Sequence, residues 1–193
     1  MYFCVYGAAS DAIDSSYIKA GEELGFRLAN GGHGVVFGGG ARGMMGAVAR
    51  GIHKGGGELI GVAPTFFNVD GVLSEHCTKL VYTETMRERK QYMEEHSDAF
   101  LVTPGGIGTY DEFFEILTLR QLGRHSKPIV LYNINGYFNP LCEMLQKTAD
   151  GNFMRRENLR LVFVSDNADE ILNYVENFTP EDYDPETLRG IRK

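Results

Sequence analysis

Short apolar runs alternate with longer amphipathic segments along almost the whole chain. Tyr2–Tyr6 runs into Gly7, Val35–Phe37 into Gly38-Gly39-Gly40, and Phe100–Thr103 into Pro104-Gly105-Gly106. Glu58–Ala63, Lys79–Tyr82, Pro128–Tyr132 and Leu161–Val164 complete seven strand candidates. Between them, residues 15–29, 44–54, 85–97, 109–122, 138–149 and 168–177 carry helical periodicity, the first with Asp14 or Ser15 as its cap. Residues 65–77 read as a loop. Strand–helix alternation of this kind predicts an α/β fold: a doubly wound, mainly parallel sheet with helices on both faces. The 193 residues suit one domain over 1–178, followed by a charged tail over 179–193. Ligands in such folds bind beyond the carboxyl ends of the strands, which selects loops 38–43, 83–90 and 104–108.

Charge narrows the partners. The net charge is −7 with no basic block, which argues against a nucleic-acid surface but not against a small anion held by backbone amides. The three cysteines, Cys4, Cys77 and Cys142, are widely spaced and form no Cys-x-x-Cys. The opening MYFCVYGAAS lacks the pattern of a signal peptide, and no run approaches a membrane span, so a cytoplasmic protein without membrane contact is expected. His33, His53, His76, His96 and His125 show no metal-ligand spacing, and no metal site is expected.

Two glycine loops carry the chemistry. Gly38-Gly39-Gly40-Ala41-Arg42-Gly43 satisfies G-x-G-x-x-G. However, it follows the second strand, and the next strand ends in Ala63-Pro64 without the acid that a dinucleotide ribose needs. A tight turn with close backbone approach to a ligand, at Gly39 and Gly40, fits better. Pro104-Gly105-Gly106-Ile107-Gly108-Thr109 lies at a helix N-terminus, where open amides and the helix dipole favour a phosphate. Glu112 stands three residues beyond Thr109. That spacing is both a capping box and a place where a carboxylate meets a bound ribose. On the 85–97 helix, Met86, Arg89, Lys90, Met93 and Ser97 share the more apolar face. Two cations there, near a helix start, call for a bound anion or an acid such as Glu112.

The paired patterns M-x-x-R-K at 86–90 and P-G-G-x-G-T-x-x-E at 104–112 resemble those of the Lonely Guy (LOG) family, the cytokinin riboside 5′-monophosphate phosphoribohydrolases. The likeness spans roughly residues 2–178, including VVFGGGARGMMGAVA, HSDAFLVTPGG and QLGRHSKPIVLYN. It implies a Rossmann-like homodimer with active sites near the subunit interface and no cofactor. The family's catalytic arginine and glutamate fall on Arg89 and Glu112. Its nucleotide contacts fall on Met86, Lys90, Gly105, Gly106, Gly108, Thr109 and Thr118. A base-side acid expected in the 65–77 loop is either Asp70 or absent, in a stretch that departs from the plant-type pattern. The first-strand turn, Gly7-Ala8-Ala9-Ser10, also departs, having alanines where serines are usual.

The expected activity is hydrolysis of the base–ribose bond of an adenosine 5′-monophosphate type of nucleotide, N6-prenylated or not, giving free base and ribose 5-phosphate. Two rivals stand beside it. A lysine decarboxylase needs pyridoxal phosphate on a lysine with a partner for the ring nitrogen, and no lysine here has that setting. A module that binds nucleotides without cleaving them would use the same cradle. The helix at 109–122 carries Tyr110, Phe113, Phe114, Ile116, Leu117, Leu119 and Leu122, more apolar positions than one core-facing stripe needs. A second subunit is the expected cover.

Overall fold

The computed structural model describes residues 1–180. Beyond Pro180, the charged tail expected from Thr179 lies outside the described residues. The sheet has seven strands: β1 (Tyr2–Tyr6), β2 (Gly34–Phe37), β3 (Leu59–Pro64), β4 (Lys79–Thr83), β5 (Ala99–Val102), β6 (Ile129–Tyr132) and β7 (Val162–Ser165). Every pairing is parallel, in the order β4-β3-β2-β1-β5-β6-β7. The helices are α1 (Ser15–Asn30), α2 (Gly43–Lys54), α3 (Met86–Glu95), α4 (Ile107–Gln121), α5 (Asn139–Asp150) and α6 (Ala168–Glu176).

Central strands buried on both faces read as unbroken apolar runs, and each face of the sheet has its own core. Phe3, Val5, Val35 and Phe37 pack with Leu24, Leu28, Val48 and Ile52 of α1 and α2 and with Ile171 and Val175 of α6. Cys4, Tyr6, Phe100 and Val102 pack with Met93 of α3, Phe113, Ile116 and Leu117 of α4, and Leu141 of α5. Asp14 caps α1, accepting from Ser16 N at 2.8 Å. Helices α1 and α2 touch through Gly25 and Gly51, where a Cβ at either position would collide with the other helix's backbone.

One boundary differs from the sequence reading in a way that matters. Helix α4 starts at Ile107 with Gly106 as its N-cap, not at Thr109. Thr109 is therefore inside the first turn, and neither it nor Glu112 caps the helix. A capping box is formed instead by Thr85 with Glu88, at the start of α3.

Candidate active site

Chain order reverses at β1, which lies between β2 and β5, and this is where the loops beyond the strand ends part. A cleft of about 630 Å³ opens there, within the range of small-molecule sites. Its walls are Gly7, Ala8 and Ala9 after β1; Gly38, Gly40, Ala41 and Arg42 after β2, with Met45 of α2; and Phe67 and residues 70–73 from the β3–β4 connection. Met86 and Arg89 of α3 and Gly106, Gly108, Thr109, Asp111 and Glu112 around the start of α4 complete it.

The N-termini of α2, α3 and α4 all border this region; that of α3 is closed by its Thr85–Glu88 capping box, and the other two differ. At α2 the Gly43 amide is already taken by Asp11 Oδ1 at 2.9 Å. At α4 no side chain caps the helix, so the amides of Ile107, Gly108 and Thr109, which have no intrahelical acceptor, are not taken by a cap either. Thr109 is buried beneath them. The Pro104 carbonyl accepts from Ala8 N at 3.0 Å, tying the two loops together. A Cβ at Gly105 would collide with Thr109 Oγ1 and lie 2.9 Å from Ala8 N. Of these termini, α4 is the one left open to take an anion.

Beside this cradle lies a buried ion pair. Arg89 Nη2 is 3.4 Å from Glu112 Oε1, and the two residues are only 7% and 8% exposed. Arg89 Nη1 also reaches Met86 S at 3.7 Å, while its Nε is buried with no hydrogen-bond partner. The guanidinium fits because position 38 is glycine: a Cβ there would collide with Nη2 and sit 3.0 Å from Cζ. Burial pushes the Glu112 carboxyl up to about 7, against the pull of Arg89. Such a group can hold or release a proton near neutrality, as a general acid–base residue must.

The structure brings Arg89, Glu112, Met86, Gly106, Gly108, Thr109 and Gly40 to one cleft. Gly39 makes the turn behind it, at φ 76°, and Gly105 is the buried support of the cradle. Lys90 does not line the cleft. Its ammonium lies between Asp111 Oδ2 at 3.1 Å and Glu115 Oε2 at 2.5 Å. Thr118 is exposed further along α4, outside the cleft. Asp70 lines the cleft from the loop side. Sequence reading picked out the 38–43 loop but gave Gly38 no role of its own, and it missed Met45, Phe67, Val72 and Leu73. The first glycine of the Gly38–Gly43 motif was the signal for Gly38, whereas the loop residues have no periodicity that would single them out.

The family model described as "possible lysine decarboxylase" matches residues 45–175. Among curated proteins, the chain is 34% identical to cytokinin riboside 5′-monophosphate phosphoribohydrolase LOG4 of Arabidopsis thaliana, over 92% of this chain and 82% of the relative. It is likewise 34% identical to the phosphoribohydrolase LOG of Oryza sativa subsp. japonica, over 92% and 74%. Among solved structures, the structural-genomics target TM1055 superposes with a TM-score of 0.71 at 23% identity, covering 92% of this chain and 99% of the other. A Moco carrier protein from Chlamydomonas reinhardtii gives 0.69 at 22% identity, covering 91% and 94%. These structural likenesses establish a common fold.

Proposed function

The chain belongs to the Lonely Guy family, and from that premise we propose that it is a phosphoribohydrolase. It would cleave the N-glycosidic bond of an adenosine 5′-monophosphate type of nucleotide to free base and ribose 5-phosphate. The observation that carries this reading is the buried Arg89–Glu112 pair beside the uncapped start of α4, in one cleft.

The 5′-phosphate sits on the amides of residues 106–109 with the Thr109 hydroxyl. That contact fixes the sugar and turns remote binding energy toward the chemical step. Glycoside cleavage passes through an oxocarbenium-like state. Glu112, aimed at the ribose, stabilises that cation or takes a proton from the attacking water. Arg89 orients Glu112 and balances charge on the departing base. Asp70, with Phe67, Val72 and Leu73, faces the base and its N6 substituent. The other chemistry in the family's description does not fit: no lysine lines the cleft among the described residues, so nothing is placed to hold a pyridoxal aldehyde. We further propose a homodimer acting in the cytoplasm.

The test is product formation from a panel of nucleoside monophosphates, including the N6-prenylated one, followed by chromatography. Free base should appear, and the nucleotide should be cleaved at least about 100-fold better than its nucleoside, roughly 2.7 kcal/mol of phosphate-derived stabilisation. Equal rates on the two remove the cradle from the mechanism. Tight binding with no free base makes the protein a nucleotide-binding module instead.

A further inference from the structure

The cradle has a support that neither the motif nor the ion pair contains. Tyr137, half-buried in the connection between β6 and α5, donates its phenol to the Gly105 carbonyl at 2.6 Å. Tyr137 is itself held from several sides. Its neighbour Asn135, a non-glycine residue at φ 54°, bonds through Nδ2 to Ser16 Oγ at 2.9 Å. Asn133 Oδ1 accepts from Phe138 N at 2.7 Å. The rings of Tyr17 and Phe138 meet the Tyr137 ring edge-on, with centroids 6.1 and 5.0 Å away. Phe138 in turn meets the ring of Tyr110, in the first turns of α4, edge-on at 6.5 Å.

Peptide geometry gives this contact its consequence. In a trans peptide unit the C=O and the following N–H point to opposite sides of the chain, and no cis bond occurs among the described residues. With the Gly105 oxygen turned to Tyr137, the Gly106 N–H points the other way, toward the cleft that Gly106 lines. The plane joins two glycines, so no Cβ resists its rotation. Around position 106 there is open space, with nothing within 4 Å of where a Cβ would be. A flipped plane would present a carbonyl oxygen to the anion and repel it.

We propose that Tyr137 is a positioning residue of the phosphate cradle, locking the Gly105–Gly106 peptide so that the Gly106 N–H is aimed at a bound phosphate. The proposal rests on the placement of the 5′-phosphate at residues 106–109.

The experiment compares Tyr137→Phe with the wild type using nucleoside monophosphate, nucleoside and ribose 5-phosphate as probes. One misdirected charge-assisted hydrogen bond should raise the KM for nucleotide, and the inhibition constant of ribose 5-phosphate, by about tenfold each. The kcat should change by less than about threefold, and hydrolysis of the nucleoside should not change. An unchanged ribose 5-phosphate constant overturns the proposal, as does a parallel loss on the nucleoside. If the wild type itself does not bind ribose 5-phosphate, the phosphate placement fails and takes this proposal with it. A readout independent of any variant is the Gly106 amide resonance of the wild type on titration with inorganic phosphate. It should move together with that of Gly108, and a shift at Gly108 alone overturns the proposal.

Discussion

Arg89 reaches Glu112 only because residue 38 has no side chain. The guanidinium crosses the end of β2 where a Cβ would stand, and closes on the carboxylate at 3.4 Å. A motif that looks like a dinucleotide fingerprint therefore serves, in its first glycine, to admit a cation from another helix.

Gly38→Ala tests that relationship. The added methyl must push Arg89 out of the cleft, because the opposing atoms belong to a packed guanidinium with a buried Nε. Activity should fall by about 100-fold, with a stability loss of about 1–3 kcal/mol from overpacking. Steady-state kinetics and thermal melts check both. A fully active Gly38→Ala would show that the Arg89 position is dispensable.

Glu112→Gln keeps the volume and removes the charge. Turnover should drop by about 100-fold or more. The pH dependence has a definite sign. The folded carboxyl titrates at about 7, above its ordinary 4.5, so between those values the native state holds a proton that the unfolded chain has released. Ionising Glu112 thus costs stability as pH rises through this window, and glutamine is free of that cost. The melting temperature of the variant relative to wild type should rise between about pH 5 and about pH 8. In the wild type, kcat/KM should climb through about pH 7 as the carboxylate forms. A melting difference that does not move with pH would show that the site is wetter than its burial implies.

Two Thr-x-x-Glu segments offer a paired test. Thr85 accepts from Glu88 N at 3.1 Å, and Glu88 answers to Thr85 N at 3.2 Å. Thr109 and Glu112 make no such exchange, because α4 begins two residues earlier. Thr85→Ala should cost about 1 kcal/mol of stability. Thr109→Ala should mainly raise the KM for nucleotide. Chemical denaturation and kinetics on both variants separate the roles, and the reverse pattern would return Thr109 to capping.

This pair also shows how far the sequence could be read. Alternation and glycine punctuation placed the seven strands and six helices: the inner strands β1, β2, β3, β5 and β6 are buried and read as apolar runs, while the more exposed edge strands β4 and β7 were legible from their place between helical segments. Arg89 was legible as an inward cation needing a partner, and Glu112 as the acid within reach. The helix start was not, since Gly106 caps α4 through backbone conformation alone and leaves no side-chain signature. The surroundings of Lys90 were not legible either. Helical phase put it beside Arg89, but Asp111 and Glu115, one turn apart on α4, hold it outside the cleft lining. The wall of Phe67, Val72 and Leu73 comes from a connection with no period to read.

The outer face of α4 carries the last prediction. Phe113, Ile116 and Leu117 are buried in the core beside the sheet. On the opposite side Ile107 is 89% exposed, Phe114 36% and Leu122 37%, with Thr118 exposed between them. Spacings of seven, four and four place these residues along one stripe. That stripe starts at Ile107, between the cleft-lining residues Gly106 and Gly108. A two-fold contact joins the same patch on both subunits, and a patch that includes the start of α4 would bring both clefts near the interface. We expect a homodimer through this face, and Phe114→Asp should dissociate it by placing a charge in an apolar contact. Light scattering should give twice 21.5 kDa for the wild type and 21.5 kDa for the variant. Turnover should be lost along with assembly, while the melt of the variant shows that the domain remains folded. A monomeric Phe114→Asp with full activity would separate the chemistry of Arg89 and Glu112 from any second subunit.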